Sequence, residues 1–139
     1  MIARLFHYLI LLPISLLPFK VLYFLSDILY LILYYIINYR KEIITKNIEN
    51  SFPELDDKQK SHLIKQFYKH LSDIMIESVK SFTITKKQLS KRFTITNHEI
   101  IDAYAAKNQS VIVVGGHYNN WEMFAQATPL YHRHKCLGI

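Results

Sequence analysis

From Leu5 to Tyr39 the chain is built largely of Leu, Ile, Phe and Tyr, interrupted only by His7, two prolines, Lys20, Asp27 and a few small polar residues. That is the composition of a membrane-inserting segment, not of a helix facing water. The window from Val21 to Tyr39 gains about 5 kcal/mol from its apolar side chains, while Asp27 costs about 3 kcal/mol if central, so insertion is favoured narrowly. Pro13, Pro18 and Lys20 make the stretch from Leu5 to Phe19 a poorer spanning helix. It is expected either to lie in one leaflet or to form the first arm of a shallow hairpin. A cleaved signal peptide fits less well, because the apolar stretch is too long and no small-residue cleavage site follows it. A pair of core helices in a soluble protein would need a larger domain to cover it. Arg40, Lys41 and Lys46 follow the apolar run, against Arg4 alone before it. That asymmetry places the rest of the chain in the cytoplasm, with Tyr34, Tyr35 and Tyr39 suited to the interface.

The expected organisation is therefore an anchor over residues 1–39 and a single soluble part over 40–139, the most that 139 residues allow. A formal net charge of +6 favours an acidic partner, and anionic lipid, an acidic carrier protein and nucleic acid all have the right sign. Nucleic acid is set aside, since no recognition motif accompanies the charge and the leader argues for a membrane. Cys136 is the only cysteine, which rules out an intrachain disulfide and a cysteine-based zinc cage within this chain.

After the anchor, Asn50-Ser51-Phe52-Pro53 breaks the pattern. Asp56 or Asp57 then caps an amphipathic helix running to about Lys80, with Leu63, Phe67, Leu71, Ile74 and Val79 on its apolar face. Lys58, Lys60, Lys65, Lys69 and Asp73 read as its solvated face. Lys86, Lys87, Lys91 and Arg92 form a denser basic patch suited to phosphate or to a carrier protein. Phe93 to Thr96 has β-type composition, Asn97 reads as the cap of a short helix containing Ile100, Ile101 and Tyr104, and Val111 to Val114 reads as a buried parallel strand. A helix over about Asn120 to Tyr131 follows, and Lys135 to Ile139 would begin the next strand. Alternating strands and helices predict an α/β layer architecture. So few strands could not close a two-faced sheet, which suggests a partial sequence.

The stretch that carries chemistry is Val111-Ile112-Val113-Val114-Gly115-Gly116-His117-Tyr118-Asn119-Asn120-Trp121-Glu122. On one continuous helix His117 and Glu122 would face apart, because five steps overshoot a full turn by about 140°. They meet only if His117 lies in the turn and Glu122 in the first helical turn, which Asn119 or Asn120 as N-cap would produce. A carboxylate accepting the Nδ1 proton of His117 fixes the tautomer and leaves Nε2 to take a proton from a hydroxyl. The bland alternative is a structural cap and hydrogen bond. Gly115 and Gly116 would let substrate approach the backbone, and amides near the helix start would serve a developing oxyanion. His132, His134 and Cys136 alternate but lack further ligands, so no metal site is expected. His62 and His70 read as solvated, and Trp121 as a packing or interfacial residue.

Gly-Gly-His-Tyr-Asn-Asn-Trp-Glu, behind a hydrophobic run and an apolar leader, resembles the lauroyl and myristoyl acyltransferases of lipid A biosynthesis. Asn47-Ile48-Glu49-Asn50-Ser51-Phe52-Pro53-Glu54 is similar to the segment that follows the anchor in that family. The resemblance covers roughly the N-terminal half of a family member. It implies a glycerolipid-acyltransferase-like α/β domain at the bacterial inner membrane, its catalytic part facing the cytoplasm. It further implies His117 as general base with Glu122 as its partner, Gly115, Gly116, Asn119 and Asn120 against substrate, and neither cofactor nor metal. The donor would be an acyl carrier protein or coenzyme A thioester and the acceptor a hydroxyl of a lipid A precursor. A lysophospholipid, an aminolipid or another glycolipid is the alternative acceptor. A non-catalytic membrane-anchored interaction domain, or an inactive fragment, is the alternative of a different class.

Overall fold

The computed structural model describes residues 2–116, 118–132 and 135. The chain divides into two compact units, residues 1–79 and 80–139. In the first, the leader forms two helices, α1 (Ile2–Leu16) and α2 (Phe19–Ile36). Pro18 separates them: Leu17 and Pro18 are both extended, at ψ 150° and 149°, as proline and its predecessor prefer. Each helix contains one π turn, His7–Leu11 and Ile32–Ile36. The first lies just before Pro13, whose ring and missing N–H disturb the preceding turn. After the second, Asn38 and Arg40 take left-handed conformations at φ 52° and 50° and turn the chain into α3 (Lys41–Ser51).

Phe52, before Pro53, ends α3, and α4 (Asp57–Lys80) follows. Of the two acidic candidates Asp56 supplies the cap: its Oδ1 accepts from the Gln59 amide at 2.7 Å while Gln59 Oε1 accepts from the Asp56 amide at 2.9 Å. This reciprocal box satisfies two backbone donors. Leu33, Ile44, Ile48 and Tyr68 form the core where α2, α3 and α4 meet, with Leu29, Tyr30, Tyr34, Leu63 and Ile64 packed around them. The buried stripe of α4 is centred one residue later than its apolar residues predict. Tyr68 and Ser72 are fully buried while Phe67 stays 42 % exposed. Nor is the polar face of α4 simply solvated. Lys69 pairs with Asp27 at 3.5 Å, and Asp73 accepts a 2.6 Å hydrogen bond from Ser26 on α2.

In the second unit, α5 (Lys86–Arg92) starts with a capping box between Thr85 and Gln88. Next come α6 (Glu99–Ala105) and α7 (Trp121–Tyr131). Leu89 is buried on α5, and Phe93 at its end meets Phe124 of α7, with ring centroids 5.7 Å apart. The Tyr131 hydroxyl closes this packing by donating to the Phe93 carbonyl at 2.8 Å. Asn97 does not cap α6: it sits in the left-handed region at φ 56°, and the N-cap position falls on His98.

The α/β expectation is overturned, because every regular element among the described residues is a helix. Val111–Val114 runs without regular structure and exposed, Ile112 at 88 % and Val114 at 90 %. Phe93–Ile95 is likewise irregular before the turn at Thr96–His98, and of the strand expected over residues 135–139 only Lys135 is described, also irregular. β-branched residues favour a pleated surface only where a neighbouring strand completes the ladder, and none among the described residues does so.

Tyr68 ties the first unit together, donating its hydroxyl to the Tyr39 carbonyl at 2.7 Å. Burial first, and then the neighbouring Tyr34, pushes its phenol above the usual tyrosine range. A raised folded-state value stabilises the fold below the unfolded tyrosine range and is lost as pH climbs through the folded value. Tyr68→Phe is expected to cost about 1 kcal/mol through the lost hydrogen bond. It should also flatten the alkaline fall in stability, both measured by urea unfolding across pH 7 to 11.

Candidate functional site

The candidate chemistry lies at the start of α7. Asn120 is the N-cap, its side-chain oxygen accepting from the Met123 amide at 3.0 Å. This is one of the two arrangements that the spacing requires. Asn119 supplies the turn ahead of it with a left-handed backbone at φ 58°, a conformation Asn tolerates better than most residues. Glu122 is consequently in the first turn of α7 and exposed. There the N-terminal end of the helix dipole stabilises a carboxylate by about 0.3–1 kcal/mol. Met123 and Ala127 bury the opposite face, while Trp121, 39 % exposed, lies 5.3 Å from Phe124 in a tilted ring contact.

His117 lies outside the described residues, so its approach to Glu122 is not among the observed contacts. Gly115, Gly116 and Asn119 are exposed in the segment leading to the cap, whereas Asn120 is turned inward. Neither glycine has positive φ, so the left-handed step that a glycine turn would supply falls on Asn119. A Cβ added to either glycine meets nothing within 4 Å, which leaves that backbone open to a bound molecule. The expected oxyanion donors are partly committed already, the Met123 amide to Asn120 and the Trp121 amide to the Asn119 carbonyl at 3.0 Å.

A second polar group stands at the other end of α7. His98 Nδ1 is 3.3 Å from Asp102 Oδ2, and the His98 ring lies 6.0 Å from that of Tyr131 and 6.4 Å from that of His132. Nδ1 of His132 is buried without a hydrogen-bond partner. The i,i+4 spacing of His98 and Asp102 is the sequence signal for the first contact. Of the alternating set His132, His134 and Cys136, the last two lie outside the described residues. Among the described residues no group of three or more metal-ligating side chains gathers. His132 stands ten positions after Glu122, about 15 Å at helical rise, so the two clusters are distinct.

The family model for the bacterial lipid A biosynthesis acyltransferases matches residues 2–138. The chain belongs to that family, and acyl transfer from an acyl donor to a lipid acceptor is the activity this membership supports. No curated protein and no solved structure matches the chain. Among the described residues one helix, Phe19–Ile36, is long and apolar enough to cross a membrane.

The cap is testable without any substrate. Asn120→Ala should cost about 1 kcal/mol by leaving the Met123 amide without its acceptor. Asn119→Gly should be neutral or slightly stabilising, because glycine takes positive φ freely. Thermal unfolding followed by circular dichroism measures both.

Proposed function

We propose that this chain carries the acid–base pair of an acyltransferase that moves a fatty acyl group from a thioester to a hydroxyl of a lipid A precursor. In this reading residues 1–39 hold the protein at the inner membrane and residues 40–139 begin the catalytic part on the cytoplasmic side. His117 Nε2 removes the hydroxyl proton as that oxygen attacks the thioester carbonyl. The tetrahedral intermediate then collapses, the carbon–sulfur bond breaks, and the departing thiolate takes the proton from the imidazolium. Glu122 accepts the Nδ1–H of His117, orienting the ring and stabilising its cationic form. No covalent acyl-enzyme is formed. Gly115 and Gly116 admit the substrate close to the backbone, and Asn119 and Asn120 shape the approach.

The observation that carries this reading is the position of Glu122: exposed and in the first turn of a helix capped by Asn120. Family membership supports the reaction class. For the donor, an acidic acyl carrier protein fits the exposed Lys86, Lys87, Lys91 and Arg92 of α5, the helix whose end packs on α7.

With the full-length gene product, an acyl-carrier thioester and a lipid A precursor, His117→Ala should lower turnover by about two to four orders of magnitude with folding intact. Glu122→Ala should lower it less. Unchanged turnover in His117→Ala rejects the mechanism. Reversing Lys86, Lys87 and Lys91 to Glu should raise KM for the carrier thioester in a salt-sensitive way, with kcat nearly unaltered. An equal effect at every salt concentration would remove the carrier-docking role.

A further inference from the structure

The leader has two unlike faces that its composition does not reveal. On α2, Leu22, Ser26, Leu29 and Leu33 recur at i, i+4, i+7 and i+11; Leu22, Ser26 and Leu33 are buried and Leu29 packs on the core. Val21, Phe24, Ile28, Leu31 and Tyr35 lie on the opposite side and all remain exposed, Phe24 at 64 % and Tyr35 at 59 %.

The inward face is engaged by α4 over most of its length. Tyr23 donates its hydroxyl to Glu77, Ser26 donates to Asp73, and Asp27 pairs with Lys69. Further along, the Tyr34 ring meets Tyr68 edge-on at 5.2 Å, and Tyr68 reaches the Tyr39 carbonyl. Residue numbers rise along α2 as they fall along α4, so the helices are antiparallel. If α2 crossed a bilayer alone, these contacts would break. If α4 followed it, Lys69, Asp73 and Glu77 would enter the hydrocarbon, where charged groups are costly. The other leader helix is too short to cross: at about 1.5 Å per residue, α1 spans about 22 Å, against a hydrocarbon core of about 30 Å.

We infer that the leader attaches the protein monotopically, with α2 lying in the plane of one phospholipid leaflet. Its exposed apolar face is sunk at the boundary of headgroups and acyl chains, and α4 covers its other face on the aqueous side. α1 enters the same leaflet without emerging beyond it. The occupant of the apolar face is a lipid leaflet carrying anionic headgroups. Exposed Arg4, Lys20 and Arg40 lie along or at the ends of the leader helices, on a chain of net charge +6, and Tyr35 and Tyr39 are amphipathic side chains suited to that depth. The inference rests on the membrane placement proposed above and not on the reaction. An inactive His117→Ala or a wrong acceptor leaves it intact.

Cys136 is the one cysteine of these 139 residues, and site-directed labelling in a cysteine-free background tests the topology directly. In the full-length protein with Cys136 and any cysteine beyond residue 139 replaced by Ser, Lys20→Cys and Arg40→Cys flank α2. A membrane-impermeant maleimide is applied to right-side-out and inverted membrane vesicles. Both positions should label from the same side, the inverted vesicles. Labelling from opposite sides overturns the inference, as does recovery of the protein entirely in the soluble fraction. A second readout covers a cysteine variant that misfolds: Ile28→Trp in a background with Trp121 and any tryptophan beyond residue 139 replaced by Phe, in vesicles of zwitterionic and anionic phospholipid brominated at defined depths. Quenching should be strongest with bromine near the headgroups, and a maximum at the bilayer centre rejects the in-plane arrangement.

Discussion

The first unit depends on a polar seam between two helices of opposite character. One helix is apolar enough to read as a membrane span; the other is a charged amphipathic helix. The contacts between them are hydrogen bonds, an ion pair and an aromatic edge in addition to hydrocarbon packing. The Asp27–Lys69 pair is weak on its own, since both side chains are more than half exposed and such pairs contribute about 0–1 kcal/mol. Its larger effect is to fix register. With Ser26 on Asp73 and Tyr23 on Glu77, successive turns of α2 are matched to successive turns of α4, and a slide by one turn would break the whole set.

The second unit shows how much position can come from a short segment. Asn119 provides a left-handed step, Asn120 captures the Met123 amide, and α7 begins where Glu122 projects from its first turn while Met123 and Ala127 face inward. Two adjacent residues of the same type thus have different tasks, one set by backbone conformation and the other by its side-chain oxygen. Phe93 and Tyr131 then hold α7 against the end of the basic helix α5 through a ring contact and a hydrogen bond. In the proposed mechanism this brings the donor-docking surface and the carboxylate to one body.

Local rules served the reading of helices well and the reading of strands poorly. The Phe52-Pro53 break, the Asp56 cap, the end of α4 at Lys80 and the Asn120 cap all depend on residues within a few positions of one another, and all were legible. The buried stripe of α4 departs from its apolar spacing because Tyr68 and Ser72 count as polar, although a phenol or hydroxyl with a backbone acceptor is readily buried. The strand at Val111–Val114 failed for a different reason: a β-branched run declares a preference, but a ladder needs a second segment, and composition does not supply one. Lys69 and Asp73 read as solvated from sequence because their partners lie more than forty positions away in the chain. The family match spans residues 2–138 and is independent of the strand assignment.

The π turn at Ile32–Ile36 has a consequence for how the leader tolerates change. Such a turn holds one residue more than α-geometry needs, and here it is followed directly by the segment whose Tyr39 carbonyl receives the Tyr68 hydroxyl. Deleting a single leucine or isoleucine from that turn would let the winding relax to ordinary α-helix. Everything beyond it would keep its face, because five residues wound as a π turn and four wound as α-helix each cover about 400° around the axis, whereas the same deletion elsewhere in α2 would swing it by about 100°. The π turn is thereby the place where this hydrophobic stretch can lose a residue with α4 still docked, while a loss anywhere else in α2 would turn the Tyr39 carbonyl away from Tyr68.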